Sequence, residues 1–170
     1  FNTAVGHEAG TAITTGLQNT LIGGLAGDAG TTADSNVAVG YSALGANVAG
    51  DRNVAVGNGT LQTFNVSDSD TYNTAVGYEA ASGVTTGIHN TIIGGLAGLN
   101  TTDADRNVAL GYATLYTNVL GSRSTAVGYT ALHTQNPTTA ADMYNTAVGY
   151  SAGYSMTTGS SNTLIGGLAG

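Results

Sequence analysis

The chain of 170 residues contains no cysteine, no lysine and no tryptophan, and its one proline is Pro137. Without cysteine there is no disulfide framework, no thiol nucleophile and no thiolate metal site. Charged residues make up 8% of the chain, with Arg52, Arg106 and Arg123 set against ten acidic residues for a net charge of −7. Nucleic acid and anionic membrane are poor partners for such a surface. No apolar run approaches the roughly 18 to 20 residues of a membrane span, and the first residues carry no basic, signal-like stretch. Two Phe and nine Tyr are the whole aromatic complement. An interior made from the remaining Ala, Val, Leu and Ile must be narrow, which argues against one large interdigitated core. Absent lysine and cysteine, together with abundant Thr and Gly, point to an extracellular, cell-surface or virion-surface setting. The chain starts in mid-pattern without methionine and reads as a window on something longer.

Glycine is plentiful, at 27 residues, and the chain is repetitive. Equivalent motifs begin at Asn2, Asn19, Asn36, Asn53, Asn73, Asn90, Asn107, Ser124, Asn145 and Asn162, in steps of 17, 17, 17, 20, 17, 17, 17, 21 and 17 residues. Counting places from that residue, each unit reads N-[TV]-[ALI]-[VIL]-G-[Y/G]-x-A. Place five is Gly in all ten (Gly6, Gly23, Gly40, Gly57, Gly77, Gly94, Gly111, Gly128, Gly149 and Gly166). Place eight is Ala except at Thr60 and Thr114. The longer steps follow every fourth unit and define super-repeats 1–71 and 72–143 and a partial one, 144–170, within a single array. The four coil types are A ("NTAVGYEAA"), B ("NTLIGGLAG"), C ("NVAVGYSAL") and D ("NVAVGNGTL").

A period of 17 is too short for helix pairs, and Asn, Thr, Val and Gly are poor helix formers. The pattern predicts an all-β parallel β-solenoid (β-roll) of ten 17- to 21-residue coils. Each coil would hold a short strand such as Thr3 to Val5, a bend at the fixed Gly, and a second extended run. In-register stacking at about 4.8 Å per coil gives a rod of roughly 48 Å. The Asn row then becomes a ladder, each amide donating to one neighbouring coil and accepting from the other. The fixed Gly marks a positive φ or a place with no room for Cβ. The Val, Ile or Leu before it is expected to point inward, with Ala at place eight on the opposite wall. In coil B, Gly24, Gly95 and Gly167 are expected to lie under the rings of coil A (His7, Tyr78, Tyr150). Leu or Ile at place three and Leu at place seven (Leu25, Leu96, Leu168) would restore the lost volume.

The units resemble the N-x-[AV]-[AIV]-G-x-x-[AS] repeats of trimeric autotransporter adhesin heads, and similar "NTAVGY" arrays in phage tail-fibre-like proteins. The resemblance spans all ten units. It implies a left-handed β-roll, three chains about a common axis, and a secreted or surface-exposed fibre. A trimer also has a motive in the residues, because so thin a private core gains if alternate positions such as Ala4 and Val5 face both the interior and a neighbouring chain.

Little in the chain speaks for chemistry. His7, His89 and His133 fall at three different places, and Glu8 and Glu79 share a register but lie roughly 19 Å apart, too far for a carboxylate pair. No nucleophile elbow or phosphate loop stands out from the periodic glycines. Asp68 with Asp70, or Asp103 with Asp105, raises calcium, but the spacing lacks the nonapeptide pattern of calcium-binding solenoids. The arginines are expected to reach carboxylates such as Asp51 or Asp105. Threonine pairs at Thr14, Thr31, Thr85, Thr101 and Thr157 raise ice binding, although coils C and D interrupt the row. The coil D insertions should bulge into solvent, with Phe64, Asn65, Asp68, Asp70, Gln135, Asn136 and Asp142 as candidate recognition residues.

These readings converge on a non-catalytic structural segment of an extracellular fibre without a cofactor, self-associating into a trimer or filament. The alternative is an adhesin head or tail-fibre module that contacts a host glycan or cell-surface receptor. The last coil, uncapped at Gly170, would be a cut through a longer chain or a docking face.

Overall fold

β-Branched residues at place two favour extended backbone, and the glycine at place five ends each extended run. The computed structural model describes residues 1–67 and 69–170, and among these the chain is all-β, without a helix. Ten three-residue strands form one parallel sheet: β1 (Thr3–Val5), β2 (Thr20–Ile22), β3 (Val37–Val39), β5 (Val54–Val56), β7 (Thr74–Val76), β8 (Thr91–Ile93), β9 (Val108–Leu110), β11 (Thr125–Val127), β13 (Thr146–Val148) and β14 (Thr163–Ile165). Each strand pairs in register with its equivalent, Thr3 with Thr20 and Thr20 with Val37, so the ten coils form a parallel β-solenoid. Place-two amides donate to the next coil (Thr3 to the Asn19 carbonyl, 2.8 Å), and place-five amides donate to the preceding one (Gly23 to Val5, 2.8 Å).

Among the described residues the second extended run forms strands only in coils C and D: β4 (Gly50–Asp51) pairs with β6 (Ser69–Asp70), and β10 (Gly121–Ser122) with β12 (Ala141–Asp142). Elsewhere this side of the coil is a series of bends held by coil-to-coil hydrogen bonds such as Thr14 N to Thr31 O, 3.0 Å.

Place five meets both conditions that favour glycine. Its φ runs from +127° to +142°, and a Cβ on Gly77 would lie 2.7 Å from both the carbonyl carbon and the oxygen of Gly94. Three further bends per coil, at places seven and nine and at the last residue, also have positive φ, and here residues with side chains occur as well as glycine: Leu44 (52°), Leu115 (48°), Arg52 (59°) and Tyr72 (50°). Each such residue costs about 1–2 kcal/mol, and for the place-nine leucines burial offsets this by about 1.5–3 kcal/mol.

The side of the strand that faces the core corrects the expectation from sequence. Place three points inward (Ala38 and Ala55 at 0% exposure, Leu21 at 3%), whereas place four points outward, with Val5 at 58% and Ile22 at 40%. Strand alternation requires this once place three is buried. The four-coil super-repeat then follows from volume exchange across a narrow interior. Coil B has Leu21 or Ile92 at place three and Gly27 or Gly98 at place nine, where a Cβ would lie 2.8 Å from Leu21 and 2.9 Å from Ile92. Coils C and D reverse the sizes, with Ala at place three and buried Leu44, Leu61, Leu115 and Leu132 at place nine. Coil A has Ala at place three and brings in Ile13, Val84 or Met156 from place twelve. The internal space beside Ile13, Leu21, Gly30 and Leu44 is about 10 Å³, room for about one water.

Two details of coil B are also corrected. Its place-seven leucines do not refill the core: Leu25 and Leu96 are half-buried at φ 58°, and Leu168 is exposed. The rings beside its glycines belong to coil C, since a Cβ on Gly24 would meet Tyr41 at 3.4 Å and one on Gly95 would meet Tyr112 at 3.7 Å.

Candidate functional site

Alternation along the strand gives the ten-stranded sheet an outward face made of places two and four. Place two supplies only Thr or Val and place four only Val, Ile or Leu, so the face carries no charge along its length. It measures about 48 Å by 10 Å, roughly 500 Å², within the range of the largest and often functional patch on a single chain.

Behind this sheet runs the asparagine ladder, in which side-chain amides meet from coil to coil as expected (Asn53 Nδ2 donates to Asn36 Oδ1 at 3.0 Å, Asn19 Nδ2 to Asn2 Oδ1 at 3.3 Å) and backbone bonds are added. Each Oδ1 accepts the backbone N–H of the next ladder residue, from Asn19 to Asn2 (2.9 Å) through Asn36, Asn53, Asn73, Asn90 and Asn107 to Ser124 (2.8 Å), and again from Asn162 to Asn145 (3.0 Å). Besides reaching the preceding asparagine, Nδ2 donates across its own coil, to Ala33 O from Asn19 (2.7 Å) and to Ala104 O from Asn90 (2.9 Å). One side chain therefore closes its own turn and fastens the next. Ser124 is too short for this, and Gln135 bridges the gap: its Oε1 accepts from Ser124 Oγ (3.1 Å) and Asn145 Nδ2 (2.9 Å), while its Nε2 donates to Asn118 Oδ1 (3.1 Å).

The coil D insertions are only partly exposed, which corrects the expectation that they stand in solvent. Phe64 and Gln135 are at 0% exposure, and Met143 is buried as well. Asn65 and Asn136 are exposed, but their Oδ1 atoms accept the amides of Val48 (3.4 Å) and Val119 (3.3 Å) in the preceding coil. Asp70 pairs with Arg52, and Asp142 with Arg123 at 2.9 Å. Asp68 lies outside the described residues. Sequence reading found a structural role for the arginines but missed the partners of two, because the carboxylate comes from the next coil. Arg106 does reach Asp105, at 3.6 Å, while Asp51 accepts the Asp34 amide at 2.7 Å. Arg52 and Arg123 also lie over the rings of Tyr72 and Tyr144. The Arg123 guanidinium donates to Tyr144 Oη at 2.6 Å, and this contact, with Asp142, raises its already high pKa.

Aromatic side chains gather in the second half of the array. At place six Tyr112, Tyr129 and Tyr150 stack with centroids 5.4 and 5.3 Å apart. At place ten His133 is sandwiched between Tyr116 and Tyr154, 4.9 Å from each. Its Nδ1 is buried without a hydrogen-bond partner among the described residues, and burial holds the imidazole below its ordinary value of 6.5. As pH falls the unfolded chain takes up that proton first. Stability is thus expected to decline as pH drops below 6.5 and to level off once the folded imidazole is also protonated. Urea unfolding followed across that range should show a shallower pH slope in His133→Phe, and an unchanged slope would contradict the assignment.

Threonine hydroxyls at place thirteen are engaged between coils rather than displayed as a free array: Thr14, Thr31, Thr85 and Thr102 donate to carbonyls of the next coil at 3.0–3.3 Å. Glu8 and Glu79 stay four coils apart. Among the described residues there is no group of three or more His, Asp or Glu side chains arranged to hold a metal, and no helix long and apolar enough to cross a membrane. No family model matches the chain, and no curated protein or solved structure is significantly similar to it.

Proposed function

We propose that this chain is a structural, non-catalytic segment of an extracellular or surface fibre, whose copies associate side by side through the outward face of the ten-stranded sheet. The observation that carries this reading is the uncharged row of Val, Ile and Leu at place four, outward-facing along the whole solenoid. A second copy presents the same flat face with the same coil spacing, so the match is self-complementary over any number of coils. Three copies about one axis, as the adhesin-head resemblance implies, would bury it fully. The recognition alternative has less support, because the insertions that would carry it use Phe64, Gln135, Asp70 and Asp142 to hold their own coils together.

The test is sedimentation of the wild-type chain beside a Val76→Asp, Ile93→Asp double variant. Both positions lie on the outward face near mid-array, and burying two carboxylates there should weaken association by about 100-fold or more. The expected result is an assembled wild type and a monomeric variant with an unchanged β-type circular dichroism spectrum. A monomeric wild type, or a variant that assembles equally well, would overturn the proposal.

A further inference from the structure

We infer that the Tyr112, Tyr129 and Tyr150 ladder is a site of oxidative cross-linking, where a peroxidase using hydrogen peroxide joins neighbouring tyrosine rings covalently. In-register stacking places a chemically identical side chain on each successive coil. Here it brings phenol onto phenol, with ring planes within 15° and 6° of parallel and centroids 5.4 and 5.3 Å apart. The three side chains are 48%, 49% and 59% exposed, open to a surface oxidant.

The other tyrosines are placed differently. Tyr116 and Tyr154 are separated by His133. Tyr72 and Tyr144 lie under arginines, with hydroxyls on Asp70 and Asp142 at 3.2 and 3.3 Å. Tyr41 and Tyr78 share the place-six row, but Asn58 stands between them. The Tyr41, Asn58, Tyr78 series is therefore an internal control for Tyr112, Tyr129 and Tyr150.

The chemistry balances without any group beyond the oxidant. Each of two phenols gives up one electron and its hydroxyl proton. The two phenoxyl radicals form a carbon–carbon bond between Cε atoms, and the hydrogens on those carbons move to the phenolic oxygens, restoring both aromatic rings. The two electrons and two protons reduce one hydrogen peroxide to two waters. The product ties adjacent coils together in a chain that has no cysteine to do so.

The experiment treats the full chain with horseradish peroxidase and hydrogen peroxide, then cleaves after the arginines, giving peptides 1–52, 53–106, 107–123 and 124–170. The expected product joins 107–123 to 124–170 through Tyr112 and Tyr129, lighter by two hydrogens than the separate peptides and showing the blue fluorescence of a biphenol. Peptides 1–52 and 53–106 stay unjoined. In a mixture of ¹⁵N-labelled and unlabelled chains the joined pair carries a single isotope, which marks it as a link within one chain. Tyr129→Phe should abolish this link with the circular dichroism spectrum unchanged, and Tyr144→Phe should retain it. Absence of the link, isotopically mixed pairs alone, equal joining of 1–52 to 53–106, or its survival in Tyr129→Phe would overturn the inference.

Discussion

Gly77→Ala is expected to destabilise the chain by about 2–6 kcal/mol, the sum of backbone strain and overpacking. Its φ of +135° lies where side-chain-bearing residues are rarely found, and the added methyl would sit 2.7 Å from the carbonyl carbon and oxygen of Gly94. Neither atom is free to move aside, because the carbonyl closes the turn to the Ala97 amide (3.3 Å) and the Gly94 amide is held by Val76 O in the preceding coil (2.8 Å). Gly167→Ala provides the comparison: it has no positive φ and nothing within 4 Å of the new methyl, so its effect should stay within about 0.5 kcal/mol. Urea midpoints of the two variants check the pair. Equal, small shifts would mean that coil spacing is looser than the backbone contacts indicate.

Asn90→Ala should cost about as much through lost hydrogen bonds. Asn90 is 1% exposed; its Oδ1 accepts from Asn107 N (2.9 Å) and its Nδ2 donates to Ala104 O (2.9 Å). Truncation leaves a buried N–H and a buried carbonyl unpaired, each worth about 1–3 kcal/mol, for a total of about 2–6 kcal/mol. The same change at exposed Asn2, whose Nδ2 bond to Gly16 O lies at the array's edge, should have a clearly smaller effect on thermal unfolding. Similar losses at both positions would argue against a ladder that is strengthened by burial.

Much of the fold was legible because stacking turns sequence period into spatial register. The strands, the fixed bend at Gly6 and its equivalents, the buried Ala at place eight and the Asn row each repeat ten or nearly ten times, and a repeated residue in a solenoid has one environment. Three kinds of feature were less visible. The inward face was misassigned because Ala38 and Val39 are both apolar, and hydrophobicity alone does not say which of two adjacent residues faces a core so narrow that it favours the smaller one. The positive φ at Leu44, Leu61 and Arg52 carries no compositional signal, since the bend is imposed by the coil rather than chosen by the residue. Contacts between unlike residues in neighbouring coils, such as Asp142 with Arg123 or Gln135 with Ser124, depend on how an insertion folds back, and the insertions have no repeat to read.

The candidate surfaces follow the same division. The uncharged outward face could be found by combining place two with place four, once alternation assigned both outward. The tyrosine ladder was also present in the register, as Tyr112, Tyr129 and Tyr150 at one place, but composition concealed it because nine tyrosines in 170 residues attract no attention. Burial of Phe64 and Gln135 could not be read from residues that differ between the two insertions.

The central claim is that the ten coils form one continuous ladder, fastened from coil to coil by asparagine and, beside Ser124, by Gln135, and that the insertions do not divide it. Native-state hydrogen exchange of the backbone amides at Asn53, Asn73, Asn90 and Asn107 tests this directly, because each donates to the preceding asparagine's Oδ1 at 2.9–3.1 Å. All four should exchange at one slow rate set by global unfolding, with the amide of Asn19, next to the first coil, exchanging faster. Fast exchange at Asn73, the first ladder amide after an insertion, would show that the array opens there and that the super-repeats fold as separate units.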